Sequence, residues 1–222
     1  MALDIFAPRE RTSGTRSSDV VGRFRSGHQI NKRPISLKEW RVTTGDPEVA
    51  DEVLAELGGE EVGTWETPGE DNLEVFTTSD SVEVILSGAD AIDARMVVWA
   101  KGQKRIVVCG NEVYDTEGGP FECEEGGYRT RAEHDEQGHV CEPLIKVRFR
   151  LASNPDLGIF EFQSGAWSLV QQVGYIYSDI NKNGGGAVTA TLHLEPVEFE
   201  SGGQKRKFTK PVVTVTGEYE GD

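Results

Sequence analysis

The sequence predicts an α+β fold: a mostly antiparallel β-sheet with two or three short helices and a loop insertion, at about residues 109–143, that contains cysteines and histidines. Short runs rich in Val, Ile and Trp recur along the chain, separated by Gly, Asp or Ser, which is typical of strands joined by turns. No internal repeat or sharp change in composition divides the 222 residues. We therefore expect a disordered polar segment at residues 1–18 and a single domain over residues 19–222.

Two strands begin the predicted domain. Residues 20–27 and 33–44 are both rich in apolar residues. In the second run the apolar positions alternate at Ile35 and Leu37 and continue, after a slip, at Trp40. Such alternation indicates strands that bury one face.

A helix is predicted next, because its start and end signals lie in one short segment. Asp46 can cap the helix and Pro47 occupies its first position, while Gly58 and Gly59 end it. Apolar residues form a stripe opposite acidic ones, so the helix can pack on a sheet. The stripe consists of Val49, Val53, Leu54 and Leu57.

Five further strands are predicted before the insertion, and two of them form a hairpin that turns at Lys101-Gly102-Gln103. Residues 111–143 then show little periodicity and are long for an unsupported loop. This segment holds two of the three cysteines and two of the four histidines. The five strands are EEVGTWE, NLEVFTT, SVEVILS, ARMVVWAKG and KRIVVCG.

The rest of the chain is predicted as two strands, a second helix and a long hairpin. Apolar and basic residues alternate in IKVRFRLA, and GIFEFQSG follows as another strand. The helix lies in SGAWSLVQQVGYIYSDINK, with Trp167, Val170 and Tyr175 expected to point inward. The closing hairpin is predicted to turn at Ser201-Gly202-Gly203.

The net charge of −15 is unevenly distributed. Residues 1–42 carry nine Lys and Arg against four Asp and Glu, whereas residues 43–90 carry fourteen Asp and Glu and no basic residue. An acidic surface repels the phosphate backbone of nucleic acids. The acidic block at 43–90 therefore favours either a protein partner with a basic surface or a solvated face that keeps the chain soluble.

The sequence favours a reducing cytoplasm and no membrane partner. The longest apolar runs, such as residues 96–100, are too short to span a bilayer. The first residues lack the pattern of a secretory signal, and three cysteines do not form a disulfide framework.

No motif indicates an enzyme. The chain contains no Walker loop, no GxGxxG after a strand, no GxSxG and no HExxH. Cys123 is disfavoured as a nucleophile, because the glutamates on both sides of it disfavour the thiolate. We therefore expect no catalytic residue and no small-molecule substrate.

The cysteines and histidines instead predict a structural zinc site, since thiolate and imidazole suit a tetrahedral zinc ion. Cys109 ends a predicted strand, whereas Cys123 and Cys141 lie towards the two ends of the insertion. His139 completes the set of ligands, with His134 as its alternative. The ion would hold the insertion against the sheet. The other interpretation is a buried Cys109 thiol and a disordered insertion.

Four basic residues lie on the return strand of the closing hairpin, and they have two interpretations. They indicate either a contact to nucleic acid or to an acidic partner, or the polar face and edge protection of a strand. Four charges without interleaved aromatic residues are few for a nucleic-acid site, which favours edge protection. These residues are Lys205, Arg206, Lys207 and Lys210.

Several segments, taken in order, resemble one protein family. They are GRFRSGHQINKRPISLKEWRVTT, a Cys109-Gly110 step after a paired strand, CEP leading into IKVRFRLASNPDLGIFEFQSGAW, and LHLEPVEFESGGQKRKFTKPVVTV. The family is the recombination directionality factors of actinobacterial phages, a phiC31-like group that partners large serine integrases. The likeness covers roughly residues 20–216 and depends on the order and character of segments rather than on one diagnostic motif.

The resemblance implies a non-enzymatic regulator in the cytoplasm of a bacterial host. Its partner would be a phage-encoded large serine integrase bound to att-site DNA, with little DNA binding of its own. The regulator would favour excision (attL×attR) and suppress integration (attP×attB). Where related chains carry a closely spaced cysteine pair, this one has Cys123 alone, so that His139 or Cys141 would supply the missing ligand.

A second function from a different class also fits the sequence. The protein could be a phage early protein of DNA metabolism that binds single-stranded DNA or a replication protein. DNA binding at physiological salt separates the two, because single-stranded DNA binding depends on basic and aromatic groups and is strongly salt-dependent.

Overall fold

Eleven strands and two α-helices form the part of the protein that the structure, a computed structural model, describes: residues 19–31, 33–99, 106–109 and 141–221. In chain order the elements are β1 (Val20–Ile30), β2 (Arg33–Thr44), α1 (Pro47–Leu57), β3 (Val62–Thr64), β4 (Leu73–Phe76), β5 (Ser81–Leu86), β6 (Ile92–Trp99), β7 (Ile106–Cys109), β8 (Cys141–Leu151), β9 (Ile159–Ser164), α2 (Trp167–Lys182), β10 (Val188–Ser201) and β11 (Gln204–Glu218).

The described strands form one sheet of mixed direction. Its main path runs β11-β10-β5-β8-β9-β1-β2-β4-β3, and β6 joins it by pairing with β8 and β7. Nine of the ten strand pairings in the described residues are antiparallel, and β1 with β9 is parallel. The predicted α+β class with a mostly antiparallel sheet is confirmed. The parallel pair is not evident from the sequence, because it joins segments far apart in the chain.

Helix α1 forms where its capping residues predict it. The Asp46 carboxylate accepts a hydrogen bond of 2.9 Å from the Glu48 backbone N–H. Pro47 is the first helical residue, and Gly58 follows the last one with a φ of 72°, a conformation that favours glycine. The helix packs its apolar stripe against β2 and β4.

Helix α2 packs on the core with a different face from the predicted one. Val170 is buried as predicted, but Trp167 and Tyr175 are 54% and 75% exposed, so their predicted inward orientation is wrong. The buried stripe follows the 3.6-residue period and is mostly aliphatic, and these two aromatic residues fall outside it. The buried residues are Leu169, Val170, Val173, Ile176, Tyr177 and Ile180.

Aromatic side chains form the centre of the core. Phe24 on β1 makes edge-to-face contacts with Trp40 on β2 and Phe149 on β8, at ring centroid distances of 5.7 and 5.2 Å. Trp40 makes a similar contact with Phe162 on β9 at 5.2 Å. Such pairs stabilise the fold beyond the burial of their area. The predicted inward position of Trp40 is confirmed, whereas Ile35 is 40% exposed because the first half of β2 extends beyond the core.

Two hairpins turn through residues with left-handed backbone conformations. Asn31 follows β1 with a φ of 49°, and Gly202 and Gly203 join β10 to β11 with φ values of 60° and 75°. Such turns match the twist of the flanking strands and favour Asn and Gly. The predicted closing hairpin is confirmed.

Three predictions lie outside the described residues: the disordered segment at 1–18, the turn at 101–103 and the conformation of most of the insertion. The strands on either side of that turn, β6 and β7, do pair antiparallel. In the part of the chain that the structure describes, no helix is long and apolar enough to cross a membrane.

Candidate interaction site on the polar face of the sheet

The polar face of the sheet results from alternation along its strands. On β1, Phe24 is buried in the core, while Arg23 and Arg25 on either side of it lie on the opposite face. On β9, Phe162 is in the core and Glu161 lies opposite. Both helices bury their apolar stripes on the core side.

A cavity of about 580 Å³ opens on this polar face. Three arginines, Arg23, Arg25 and Arg41, line it together with Trp65, and we call it the arginine cavity. The arginines come from β1 and β2, where Arg25 is directly opposite Arg41 in the strand register. Like charges directly opposite each other in a sheet are destabilising. The arrangement therefore needs compensation by carboxylates or by a ligand.

Arg41 has its own carboxylate partner. Its side chain is only 4% exposed, and its Nε donates a hydrogen bond of 2.7 Å to Glu74 Oε2 on β4. Its Nη2 lies against the same oxygen atom but has no well-aligned hydrogen-bond acceptor among the described residues. The guanidinium carbon lies 4.6 Å from the centre of the Trp65 ring, a cation–π contact.

Trp65 is held in place by the segment that follows it. Its indole Nε1 donates a hydrogen bond of 2.6 Å to the Asp71 carbonyl oxygen, and its backbone N–H donates one of 3.1 Å to the Asn72 carbonyl. The Asp71 carboxylate forms an ion pair with Arg23. One short segment after β3 thus fixes the ring over the sheet and neutralises one arginine.

Arg25 has no carboxylate partner within ion-pair distance in the described part of the chain. Its Nε donates a hydrogen bond of 2.9 Å to Thr43 Oγ1, and its guanidinium carbon lies 5.2 Å from the Trp65 ring centre. Burial lowers the pKa of Arg25 below its usual value, the charges of Arg41 and Arg23 lower it further, and Asp71 opposes them. Of the three arginines that line the cavity, Arg25 is the one whose charge the described residues compensate least.

The remaining buried carboxylate of the cavity is already neutralised. Glu161 on β9 is 3% exposed and accepts a hydrogen bond of 3.1 Å from Arg148 Nε. Lys146 Nζ lies 3.4 Å from its other carboxylate oxygen. Glu161 therefore pairs with two cations of β8, and it does not serve as a counter-ion for Arg25.

Two long hairpins continue past the strands that flank them. β1–β2 pairs with its neighbours only through its residues nearest the core, and β10 pairs with β5 only through residues 188–193. A hydrogen bond of 2.6 Å from Thr209 Oγ1 to the Leu37 carbonyl joins the two hairpins. Their outer parts expose Ile30, Ile35, Phe199 and Phe208.

Two of the basic residues of β11 pair with acidic residues of β10. Lys207 forms an ion pair with Glu198, and Lys210 lies 3.1 Å from the carboxylate of Glu195. In the described sheet β11 is an edge strand whose sole partner is β10. These contacts support the interpretation of the basic residues as the polar face and protection of an edge.

The predicted zinc site falls mostly outside the described residues, since Cys123, His134 and His139 lie there. Cys109 and Cys141 lie on the two strands that flank β6, in register with Met96 and Val98. Regular strand spacing places their Cα atoms about 12 Å apart. Two ligands of one zinc ion lie closer than this, so a shared ion requires one strand end to leave the regular spacing. The site stays a prediction.

The arginine cavity has no sequence motif, because its residues come from four separate segments: β1, β2, the residues after β3, and β9. Charge counted along the chain separates a basic N-terminal part from the acidic block at 43–90. The fold brings these parts together, as Arg23 with Asp71 and Arg41 with Glu74. One local signal existed: in GRFR the arginines flank a phenylalanine, which places them on the face opposite the core.

Comparison with known proteins gives one family. A family model described as Gp3-like, recombination directionality factor-like, matches residues 21–216. The match extends from β1 into β11 and includes every residue of the arginine cavity. No solved structure matches the chain significantly.

Proposed function

Because the chain belongs to the Gp3-like family of recombination directionality factor-like proteins, we propose that it binds a phage-encoded large serine integrase on att-site DNA and switches it from integration (attP×attB) to excision (attL×attR). The observation that supports this function is the extent of the family match, residues 21–216. The resemblance noted in the sequence is thereby confirmed at the level of the family.

In this proposal the protein acts by binding rather than by chemistry of its own. The net charge of −15 and the acidic block at 43–90 disfavour direct contact with DNA phosphates and favour a partner that is itself basic. An integrase fits this description, because a protein that binds att-site DNA needs basic groups to neutralise the phosphates. The protein would then reach the recombination sites mainly through the integrase.

An in vitro recombination assay tests the proposal. Purified integrase is incubated with attL and attR, or with attP and attB, in the presence and absence of the protein. We expect the protein to raise the yield of excision and to lower the yield of integration. An integrase from an unrelated phage, with its own att sites, is the control and should not respond. Unchanged excision with the cognate integrase contradicts the proposal.

Binding to DNA alone tests the other candidate function. Gel shifts with att-site duplexes and with single-stranded oligonucleotides, without integrase and at rising salt, should show weak binding at physiological ionic strength. Tight, salt-dependent binding to single strands would instead support a role in DNA metabolism.

We also propose a structural zinc ion bound by Cys109, Cys123, Cys141 and either His139 or His134. The support is the set of residues itself, because thiolate and imidazole are the ligands that zinc prefers. Elemental analysis should find about one zinc per chain. Cys123→Ser and Cys141→Ser should each lose the metal, whereas His193→Gln should keep it. Metal retained in both cysteine variants contradicts the site.

A further inference from the structure

We propose that the arginine cavity receives the carboxylate of an aspartate or glutamate side chain from the integrase, with Arg25 as its ion-pair partner. This inference rests on the proposed function and assigns a binding site to it. The same cavity could in principle take a phosphate group or an acidic segment of this chain, and the experiments below separate these cases.

Among the described residues, the positive charges that line the cavity outnumber the carboxylates that pair with them. Three guanidinium groups meet at the cavity, and two carboxylates, those of Asp71 and Glu74, pair with Arg23 and Arg41. Within the described part of the chain, Arg25 contacts a hydroxyl and an aromatic ring but no carboxylate at ion-pair distance. Its register partner is another arginine. A partly buried cation in this position is stabilised when an anion binds, since its desolvation is then offset by ion pairing.

The position of the Trp65 ring favours a carboxylate as the ligand. Trp65 lies against both Arg25 and Arg41, with its indole nitrogen held by a backbone carbonyl, so the guanidinium planes are restrained before any ligand arrives. A restrained guanidinium favours a planar carboxylate, which accepts two parallel hydrogen bonds. A cavity of about 580 Å³ accommodates a side chain together with part of the backbone that carries it.

The charges at the edge of the cavity favour a protein carboxylate over a nucleic-acid phosphate. One side of the cavity is acidic: Glu66 lies in its lining and is exposed, and the segment that carries Trp65 belongs to the acidic block at 43–90. A nucleic-acid backbone brings many negative charges to such a surface and is repelled. A single carboxylate that projects from an otherwise basic protein surface is complementary to this site. The carboxylate matches the cation in the cavity, and the basic surface around it matches the acidic side.

Binding of the purified integrase in the absence of DNA tests the proposal, with Arg25→Gln as the main variant. Loss of the charge should weaken binding at least about ten-fold, because the partner's carboxylate is then buried without a counter-ion. Arg25→Lys keeps the charge but loses the planar fork and should weaken binding about three-fold. Arg150→Gln is the matched control, because Arg150 on β8 is exposed on the same face of the sheet but lies outside the cavity. This variant should bind integrase within about two-fold of wild type.

A stability measurement separates a binding role from a structural one. Arg25 has no carboxylate partner among the described residues and faces two other arginines, so its removal relieves repulsion. We expect Arg25→Gln to melt at or above the temperature of wild type while it binds integrase less well. A variant that melts clearly lower and binds less well contradicts the proposal, because the binding loss then follows from the fold.

A charge-reversal experiment identifies the partner residue. Arg25→Glu should abolish stimulation of excision, and Asp→Arg or Glu→Arg substitutions across the integrase are then screened for recovery with this variant. Recovery by one integrase position that is specific to Arg25→Glu supports a direct ion pair. Absence of any such position overturns the proposal.

The outcomes distinguish this proposal from the function on which it rests. If the wild-type protein neither binds integrase, with or without att-site DNA, nor raises excision, the proposed function fails and the cavity contact fails with it. If wild type raises excision but binds integrase only on att-site DNA, the function stands and the contact with DNA-free integrase is overturned. If wild type binds and Arg25→Gln binds within two-fold, only the cavity proposal is overturned. An effect of Arg25→Gln seen only when att-site DNA is present indicates a phosphate ligand and also overturns it. A full-length variant in which the Asp and Glu residues of 112–138 are replaced by Asn and Gln keeps Cys123 and His134 in place. Equal affinity of this variant and wild type supports an external carboxylate, whereas tighter binding by the variant indicates that this chain's own acidic segment occupies the cavity and overturns the proposal.

Discussion

The two faces of the same sheet differ in how completely their side chains are satisfied. On the core face, Phe24 and Trp40 are buried and in contact with other aromatic rings. On the polar face, Arg25 is adjacent to Phe24 in the chain but lies against two like charges, and among the described residues a single hydroxyl accepts a hydrogen bond from it. Alternate residues of one strand therefore stabilise the fold on one face of the sheet and leave a positive charge incompletely compensated on the other.

This difference indicates where selection for function acts. A group that costs stability persists when it contributes to binding, so incompletely compensated charges mark interaction sites more reliably than well-packed residues do. The comparison predicts that core-face substitutions change the free energy of unfolding and leave the intrinsic binding surface intact. Substitutions of Arg25 should do the reverse.

The largest effect is expected from Trp40→Ala. Removal of this fully buried ring should lower the free energy of unfolding by about 3–5 kcal/mol, measured by urea denaturation. Trp40→Phe should cost much less, because the indole nitrogen has no hydrogen-bond partner among the described residues. The control is Trp167→Ala, which should cost less than about 1 kcal/mol since Trp167 is 54% exposed. Equal losses for both tryptophans would contradict the described orientation of α2.

The next effect concerns Glu161, which is on the polar face but buried. Glu161→Gln leaves Arg148 and Lys146 without their shared carboxylate and should cost about 2–3 kcal/mol, somewhat less than for a fully buried pair because both cations are partly exposed. Glu195→Gln is the control at an exposed ion pair and should cost about 0.5 kcal/mol or less. A loss at Glu161 no larger than at Glu195 would show that the polar face contributes no buried ion pair to stability.

A smaller effect is expected from Gly22→Ala on β1. A methyl group there would lie 2.8 Å from the Phe160 ring and 3.3 Å from the Thr43 carbonyl oxygen, so the core must shift. We expect a loss of about 1–3 kcal/mol in thermal or urea unfolding. Gly186→Ala places its methyl group in open space and should leave stability unchanged. A neutral Gly22→Ala would mean that the β1–β9 contact is looser than described.

The strands and α1 were predictable because their signals are local. Alternating apolar residues mark β1, β2 and β8, and Asp46, Pro47 and Gly58 mark both ends of α1. The inward face of α2 was predicted only in part, since Val170 is buried but Trp167 and Tyr175 are exposed. The 3.6-residue period of the aliphatic residues decides that face instead.

The arginine cavity was not predictable, because it depends on contacts between distant segments. Arg25 and Arg41 become neighbours only through the β1–β2 register, and Trp65 reaches them through a turn after β3. Charge counted along the chain shows a basic and an acidic region but not which of their residues meet. In the fold Arg23 and Arg41 pair with Asp71 and Glu74 of the acidic region, whereas Arg25 beside them has no carboxylate partner among the described residues.

The smallest effect is expected at the ion pair between Lys207 and Glu198, where both side chains are largely exposed. A double-mutant cycle with Lys207→Ala and Glu198→Ala should give a coupling energy of about 0.2–0.5 kcal/mol that decreases further in 0.5 M salt. Because these charges compensate each other across an edge strand, Lys207→Ala should also leave integrase affinity within about two-fold of wild type, unlike Arg25→Gln. A ten-fold loss for Lys207→Ala would place the partner on the β10–β11 hairpin as well. A paired charge (Lys207) and an unpaired charge (Arg25) would then contribute equally to integrase binding, and the lack of a carboxylate partner among the described residues would not mark the binding site.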